Sequence, residues 1–238
     1  MNWEVQLVGD STDLRTLADV LRERSMTVSE EGGEFILRSS DFDGITNTGE
    51  VRSRATEIMT SLSGLSRLVL GAHRELSLGA VSMVDTGGRK HIYLAVEPAV
   101  ARSSVSPIGI MIQRVDGTVE VHRPGDPVRD WIPLAGKDPA VAKALRLRNS
   151  ENLGWVELYR LSEVIEAAIG GFPNIVQHGW ASASELRSFK HTANSVSAVG
   201  DEARHGKEST RQPRKPMKLS QARELVDRIL KSWLRSMA

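Results

Sequence analysis

The stretch "MTVSEEGGEFILRS", residues 26 to 39, sets two arms around Gly32-Gly33. Tight two-residue hairpin turns require positive φ at one or both central positions, which glycine supplies without steric penalty. An antiparallel strand pair is therefore predicted here, and it decides how the neighbouring segments read. Upstream, "WEVQLVG" at 3 to 9 alternates Trp3, Val5 and Leu7 against Glu4 and Gln6, the period of a half-buried strand. After it, Asp10 or Ser11 is placed to cap a helix over about 12 to 23, with Leu14, Leu17, Ala18 and Leu21 at helical spacing. Downstream, "EVRSRATEIMTSLSGLSRLVL" puts Val51, Ala55, Ile58, Met59, Leu62, Leu65 and Val69 on one helical face.

From 77 to 123 the chain returns to strand patterns: "SLGAVSMVD", a "TGG" turn, "RKHIYLAVE", then "SPIGIMIQRV", a "DG" turn and "VEVHR". Two more hairpins are predicted. Residues 124 to 136 carry Pro124, Pro127, Pro133 and two glycines and read as a connector. Beyond it the pattern is helical: "DPAVAKALRLR", "WVELYRLSEVIEAAIG", "ASELRSFKHTAN" and "LSQARELVDRILKSWL". In the last, Ala222, Leu225, Val226, Ile229, Leu230 and Trp233 form one apolar stripe. The expected fold class is α+β: an N-terminal, mainly antiparallel sheet with helices over 1–130, followed by a small helical bundle over 138–238. No internal repeat is present, and Pro213 and Pro216 in "GKESTRQPRKPMK" (206 to 218) forbid a continuous helix and predict mobility there.

At 40% hydrophobic and 26% charged residues, 238 residues can bury a sizeable core. The longest apolar runs, "IYLAV" and "IGIMI", have strand length and are far from the roughly 20 residues of a membrane span. The start "MNWEVQLVGD" lacks a basic n-region with an apolar run behind it, so the mature chain is expected to begin here. With no cysteine, disulfides, thiol catalysis and cysteine-bound zinc are excluded, and the cytoplasm is the expected compartment. The net charge of +1 conceals a split: residues 181–238 hold 12 Lys+Arg against 6 Asp+Glu, and residues 1–180 hold 19 against 24. Such asymmetry marks either a surface for RNA or another polyanion, or oppositely charged parts that stay solvated or face each other.

Specific chemistry is sparsely signalled. Ser39, Asp41, Asp43, Gly44, Asn47 and Glu50 fall at positions of a calcium-loop template, but a serine stands at the first ligand position and the preceding segment reads as a strand. The alternative is a strand-to-helix turn in which Thr48 caps the following helix and Glu50 meets its positive end. His73, His91 and His122 stand singly, without the i, i+4 spacing of a helical zinc pair. Asp201 and Glu202 stand four and three residues before His205, and with His191 they could surround a metal. No nucleophile elbow, P-loop or G-x-G-x-x-G occurs, and paired acids are too common in the chain to identify glycosidase chemistry.

The segment "HTANSVSAVGDEARHG", residues 191 to 206, is the polar exception. Two readings of it stand side by side. In one, Arg204 finds acceptors on Asp201, Asn194 or a carbonyl and locks the loop to the bundle as a polar clamp. In the other, Lys190, His191, Arg204 and His205 converge outward on a phosphate, and Arg211, Arg214 and Lys215 of "RQPRK" add sequence-independent attraction.

Trp155, Leu158, Tyr159, Phe189 to Asn194, Gly200 to Gly206 and Pro216 to Leu219 form the pattern "W-x-x-L-Y … F-K-H-T-A-N … G-D-x-A-R-H-G … P-M-x-L". Over about its last 85 residues the chain thereby resembles uncharacterised bacterial proteins with a helical C-terminal domain. In helix order and its Arg-His element, it also resembles the HEPN domains of bacterial toxins and phage-defence RNases. That family's metal-free RNA cleavage implies four to six residues between an Arg and a His on a helix. Here Arg204 and His205 are adjacent, three residues separate Arg187 from His191, and the one pair at that spacing, Arg67 and His73, lies in the first half. The resemblance thus implies an RNA-binding or effector module, in a defence or toxin context, without assigning catalytic residues. The sequence reads as an α+β sensing or interaction domain joined to a helical HEPN-like domain with a basic edge. Its expected ligand is RNA or another polyanion, with a non-enzymatic protein-interaction scaffold as the rival, a metal-dependent enzyme using the His191/His205 region as the outsider, and no cofactor.

Overall fold

The computed structural model describes residues 2–22, 25–71, 76–85, 87, 89–93, 110–113, 119–122, 126–150, 152–205 and 213–238. The fold is α+β, in two compact units, 1–132 and 133–238.

The first unit is built on strand β1 (Asn2–Val8), which lies at the centre of a five-stranded antiparallel sheet. β2 (Met26–Glu31) and β3 (Glu34–Ser39) form the hairpin, with Glu31 opposite Glu34 and Gly32 and Gly33 at φ 60° and 85°. β3 pairs with β1, β1 pairs with β4 (Ser77–Val84), and β4 pairs with β5 (Lys90–Tyr93), giving the order β2-β3-β1-β4-β5. The register places Leu37, Val5 and Val81 side by side, all buried, so one face of the sheet is apolar. Helix α1 (Ser11–Val20) starts at Asp10, whose carboxylate accepts from the Thr12 and Asp13 amides, and it stops a turn short of the expected end. Helix α2 (Thr48–Val69) buries the expected face, with Leu68 replacing Val69 at its end.

On the opposite face of the sheet, Glu4 is buried between Arg38 of β3, which donates to it at 3.0 Å, and Lys90 of β5, at 2.8 Å. Arg38 also donates to Ser29 and Glu31 of β2, so one carboxylate-guanidinium network ties four strands. Burial pushes the Glu4 carboxyl up, but the Lys90 and Arg38 hydrogen bonds and charges outweigh it and hold the carboxyl below its ordinary value. Glu31, held chiefly by Arg38, is lowered to about 2.

The calcium-loop stretch is a turn. Asp41 pairs with Arg54 at 3.0 Å, and Asn47, one residue before the expected Thr48, caps α2 by accepting from the Glu50 amide at 2.8 Å. A carboxamide oxygen reaches the N3 amide as well as a hydroxyl does, so either residue type suits the role. Strands β6 (Ile110–Gln113) and β7 (Val119–His122) pair in a separate two-stranded sheet, Ile110 opposite His122. The "DG" turn between them and His73 lie outside the described residues.

The expected connector is instead helix α3 (Asp126–Lys137). Pro127 sits in its first turn, where an amide has no intrahelical partner to lose, and only Pro133 removes a bond. Val128, Trp131 and Ile132, at i, i+3 and i+4, are buried and outweigh that loss.

In the second unit, Asp138 caps α4 (Pro139–Arg148). α5 (Trp155–Ala168) is the central helix, touching α4, α6 (Phe172–Gln177), α7 (Ala183–Ala193) and α9 (Leu219–Met237). The short α8 (Val196–Val199) and a 3-10 turn at Gly200–Glu202 follow α7, and Gly200 makes the break at φ 64°. The stripe of α9 expected from sequence is buried, from Ala222 to Trp233, and Leu234 joins it. Arg148 donates to both carboxylate oxygens of Asp227, at 2.7 and 3.0 Å, joining α4 to α9. Among the described residues no helix is long and apolar enough to cross a membrane.

Candidate functional site

The site grows from how α7 is seated. Ser182 opens the helix with a reciprocal cap: its hydroxyl accepts from the Glu185 amide, and its own amide donates to the Glu185 carboxylate. That backbone bond, reinforced by Arg228, lowers the Glu185 carboxyl to about 2. Along the inner side, Leu186, Phe189 and Ala193 are buried, and the Phe189 ring stacks on both Trp155 and Tyr159 of α5, with centroids 6.2 and 6.0 Å away. This fixes the rotation of α7. Arg187, Lys190, His191 and Asn194, at i, i+3, i+4 and i+7, therefore share its outer stripe, with Arg187 and His191 exposed and the other two half-buried.

Two backbone anchors then bring distant chain onto the last turn of α7. The Arg204 amide donates to the Ala193 carbonyl at 2.9 Å, and the Met217 amide donates to the hydroxyl of Thr192 at 3.0 Å. Thr192 is fully buried and its hydroxyl donates to the Ser188 carbonyl, so the second anchor is rigid. Lys190, His191 and Asn194 thus meet Arg204, with its neighbour His205, at one helix end, and Arg214 and Lys215 stand three and two residues before the Met217 anchor, although 25 positions of sequence separate Lys190 from Lys215. Arg211 and the rest of 206–212 lie outside the described residues.

The cations differ in what they do there. Arg204 stacks over the Tyr159 ring, 4.3 Å from its centroid, and donates to Glu163 at 2.8 Å; His205 stands 3.3 Å from its guanidinium. The expected clamp is therefore formed with Glu163 of α5, in place of Asn194 or Asp201. Asn194 caps α7, donating to the Lys190 carbonyl, and its buried side-chain oxygen has no partner among the described residues; Asp201 is exposed in the 3-10 turn. Lys190 pairs with Glu166 at 2.6 Å and lies 5.3 Å from the Phe172 centroid. Ser162 steadies Glu166 from the same helix at 2.9 Å. Arg214 and Lys215 are exposed and make no ion pair among the described residues.

Tyr159, Glu163 and Glu166 form one stripe of α5 at i, i+4 and i+7, and the sequence pattern points to none of them as a partner of these cations. The two acids at the edge of an apolar stripe were the available signal, but nothing local says that their partners lie 24 and 41 residues away. Residues 133–238 hold 17 Lys+Arg against 11 Asp+Glu, a net +6, whereas residues 1–132 hold 14 against 19, a net −5. Among the described residues no group of three or more His, Asp or Glu side chains is placed to hold a metal ion, and His191, Glu202 and His205 form no such set.

No protein-family model matches the chain, and no solved structure matches it. Among curated proteins it is similar to the tRNA modification GTPase MnmE of Pseudomonas entomophila (strain L48), 29% identical over 165 residues. That match takes in 63% of this chain and 35% of the relative, so the chain spans about a third of the relative's length.

Proposed function

We propose that the helical unit binds RNA at the end of α7, through the exposed Arg187 and His191 of that helix's outer stripe and the basic residues Arg214 and Lys215. The observation that carries this reading is the pair of backbone anchors, Arg204 to Ala193 and Met217 to Thr192, which hold both ends of a basic segment against one helix end. The net +6 of the unit supplies long-range attraction to phosphates, and its exposed cations supply interactions that ignore base identity. A relative that acts on tRNA makes a folded RNA the first ligand to try. The chain has no P-loop sequence, so the reading is one of RNA binding and not of GTP hydrolysis.

The test is fluorescence anisotropy of the full chain with a labelled tRNA transcript at about 50 mM salt, where phosphate contacts are strongest. Saturable binding that weakens steeply with salt supports the reading. Absence of binding overturns it in favour of a protein-interaction module whose polar network is structural.

A further inference from the structure

Two cations at the end of α7 are already held by carboxylates of the same unit. Arg204 meets Glu163 and Lys190 meets Glu166, and the two acids stand one turn apart on α5. The Arg204 and Glu163 side chains are 33% and 43% exposed, and the more enclosed Lys190 and Glu166 still reach solvent, at 27% and 14%. Each cation also rests against a ring, Tyr159 or Phe172, so its position survives a change of anionic partner. Arg204 is anchored on the last turn of α7, as is Met217 close to Arg214 and Lys215, and Lys190 lies on the stripe with Arg187 and His191.

We infer that Glu163 and Glu166 are internal stand-ins for phosphate, occupying Arg204 and Lys190 until backbone phosphates of a nucleic-acid strand displace them. This rests on the RNA-binding reading and adds its regulation. Exchange of one anion for another leaves the cations in place, so each pair lowers affinity for RNA without altering the fold. Shielding of this kind also discriminates by charge density. A single carboxylate or inorganic phosphate gains little over the resident glutamate, whereas a strand presenting several linked phosphates displaces both at once.

The experiment compares wild type, Glu163→Gln, Glu166→Gln and the double variant for binding to a labelled oligouridylate by anisotropy over a range of salt. Glutamine keeps the shape and an acceptor oxygen, and the exposed Glu163 makes its single variant the one surest to fold, checked by thermal melting. The expected result is tighter binding, several-fold to roughly tenfold per released pair at about 50 mM salt, and a log K against log salt slope steeper by about 0.7 for each additional phosphate neutralised. Adding Arg204→Gln to Glu163→Gln should abolish that variant's tighter binding. Unchanged or weaker binding by the folded Glu163→Gln chain overturns the inference while leaving RNA binding intact. Failure of wild type and all variants to bind overturns both.

Discussion

Replacing Arg204 by alanine removes the guanidinium over Tyr159 at 4.3 Å and the ion pair to Glu163 at 2.8 Å, while the main-chain bond to Ala193 stays. At a site this exposed, a cation over a ring contributes about 0.5–1 kcal/mol. A half-exposed ion pair adds about 0.2–1 kcal/mol. The expected loss is therefore about 1 to 2 kcal/mol, less than a guanidinium buried among stranded acceptors would give. Urea melts followed by circular dichroism measure it, and double-mutant cycles with Glu163→Gln and Tyr159→Leu divide it. At about 1 M salt the Debye length shrinks to roughly 3 Å, so the Glu163 coupling should fade while the ring contribution persists. A loss above about 3 kcal/mol, or zero coupling to both partners, would refute the geometry on which the site is built.

Phe189→Ala should cost about 3–5 kcal/mol, because the fully buried ring between Trp155 and Tyr159 leaves a cavity; a loss under about 1 kcal/mol in urea melts would show that α7 is not seated by it. Trp233→Ala or Leu230→Ala, at the centre of the buried α9 stripe, should each cost about 2–5 kcal/mol, and a change below about 0.5 kcal/mol would make α9 peripheral. Glu4 and Glu31 are held below their ordinary value of 4.5, so their contribution to the first unit is complete above that pH and is lost as pH falls below it, for Glu31 as it falls toward about 2. Arg38→Gln should flatten that acid dependence in melts between about pH 6 and pH 3, and an unchanged profile would mean that the network does not form in solution.

Much of this arrangement was legible in the sequence because its causes are local. Gly32-Gly33 dictates a hairpin, Asp10 dictates where α1 begins, and the spacing of Leu225, Ile229 and Trp233 dictates which side of α9 is buried. Helix α3 was hidden by its prolines, since the rule that proline breaks helices weakens in a first turn and yields elsewhere to buried Val128, Trp131 and Ile132. The six-residue α6 and four-residue α8 are too short for helical periodicity to show. At the site, the cations were legible as a cluster in sequence, but their partners were not. Glu163 and Glu166 meet Arg204 and Lys190 only because Phe189 fixes the rotation of α7 against α5, a consequence of tertiary packing.

The most direct test of RNA binding at the end of α7 is the salt dependence of affinity for a labelled RNA, measured for wild type and for the Arg214→Gln/Lys215→Gln chain. If these two exposed cations bind phosphates, the double variant binds more weakly and its log K against log salt slope is shallower by about 1.4, or roughly 0.7 for each single-strand phosphate. Equal slopes and equal affinities for the two chains would contradict the proposed interface.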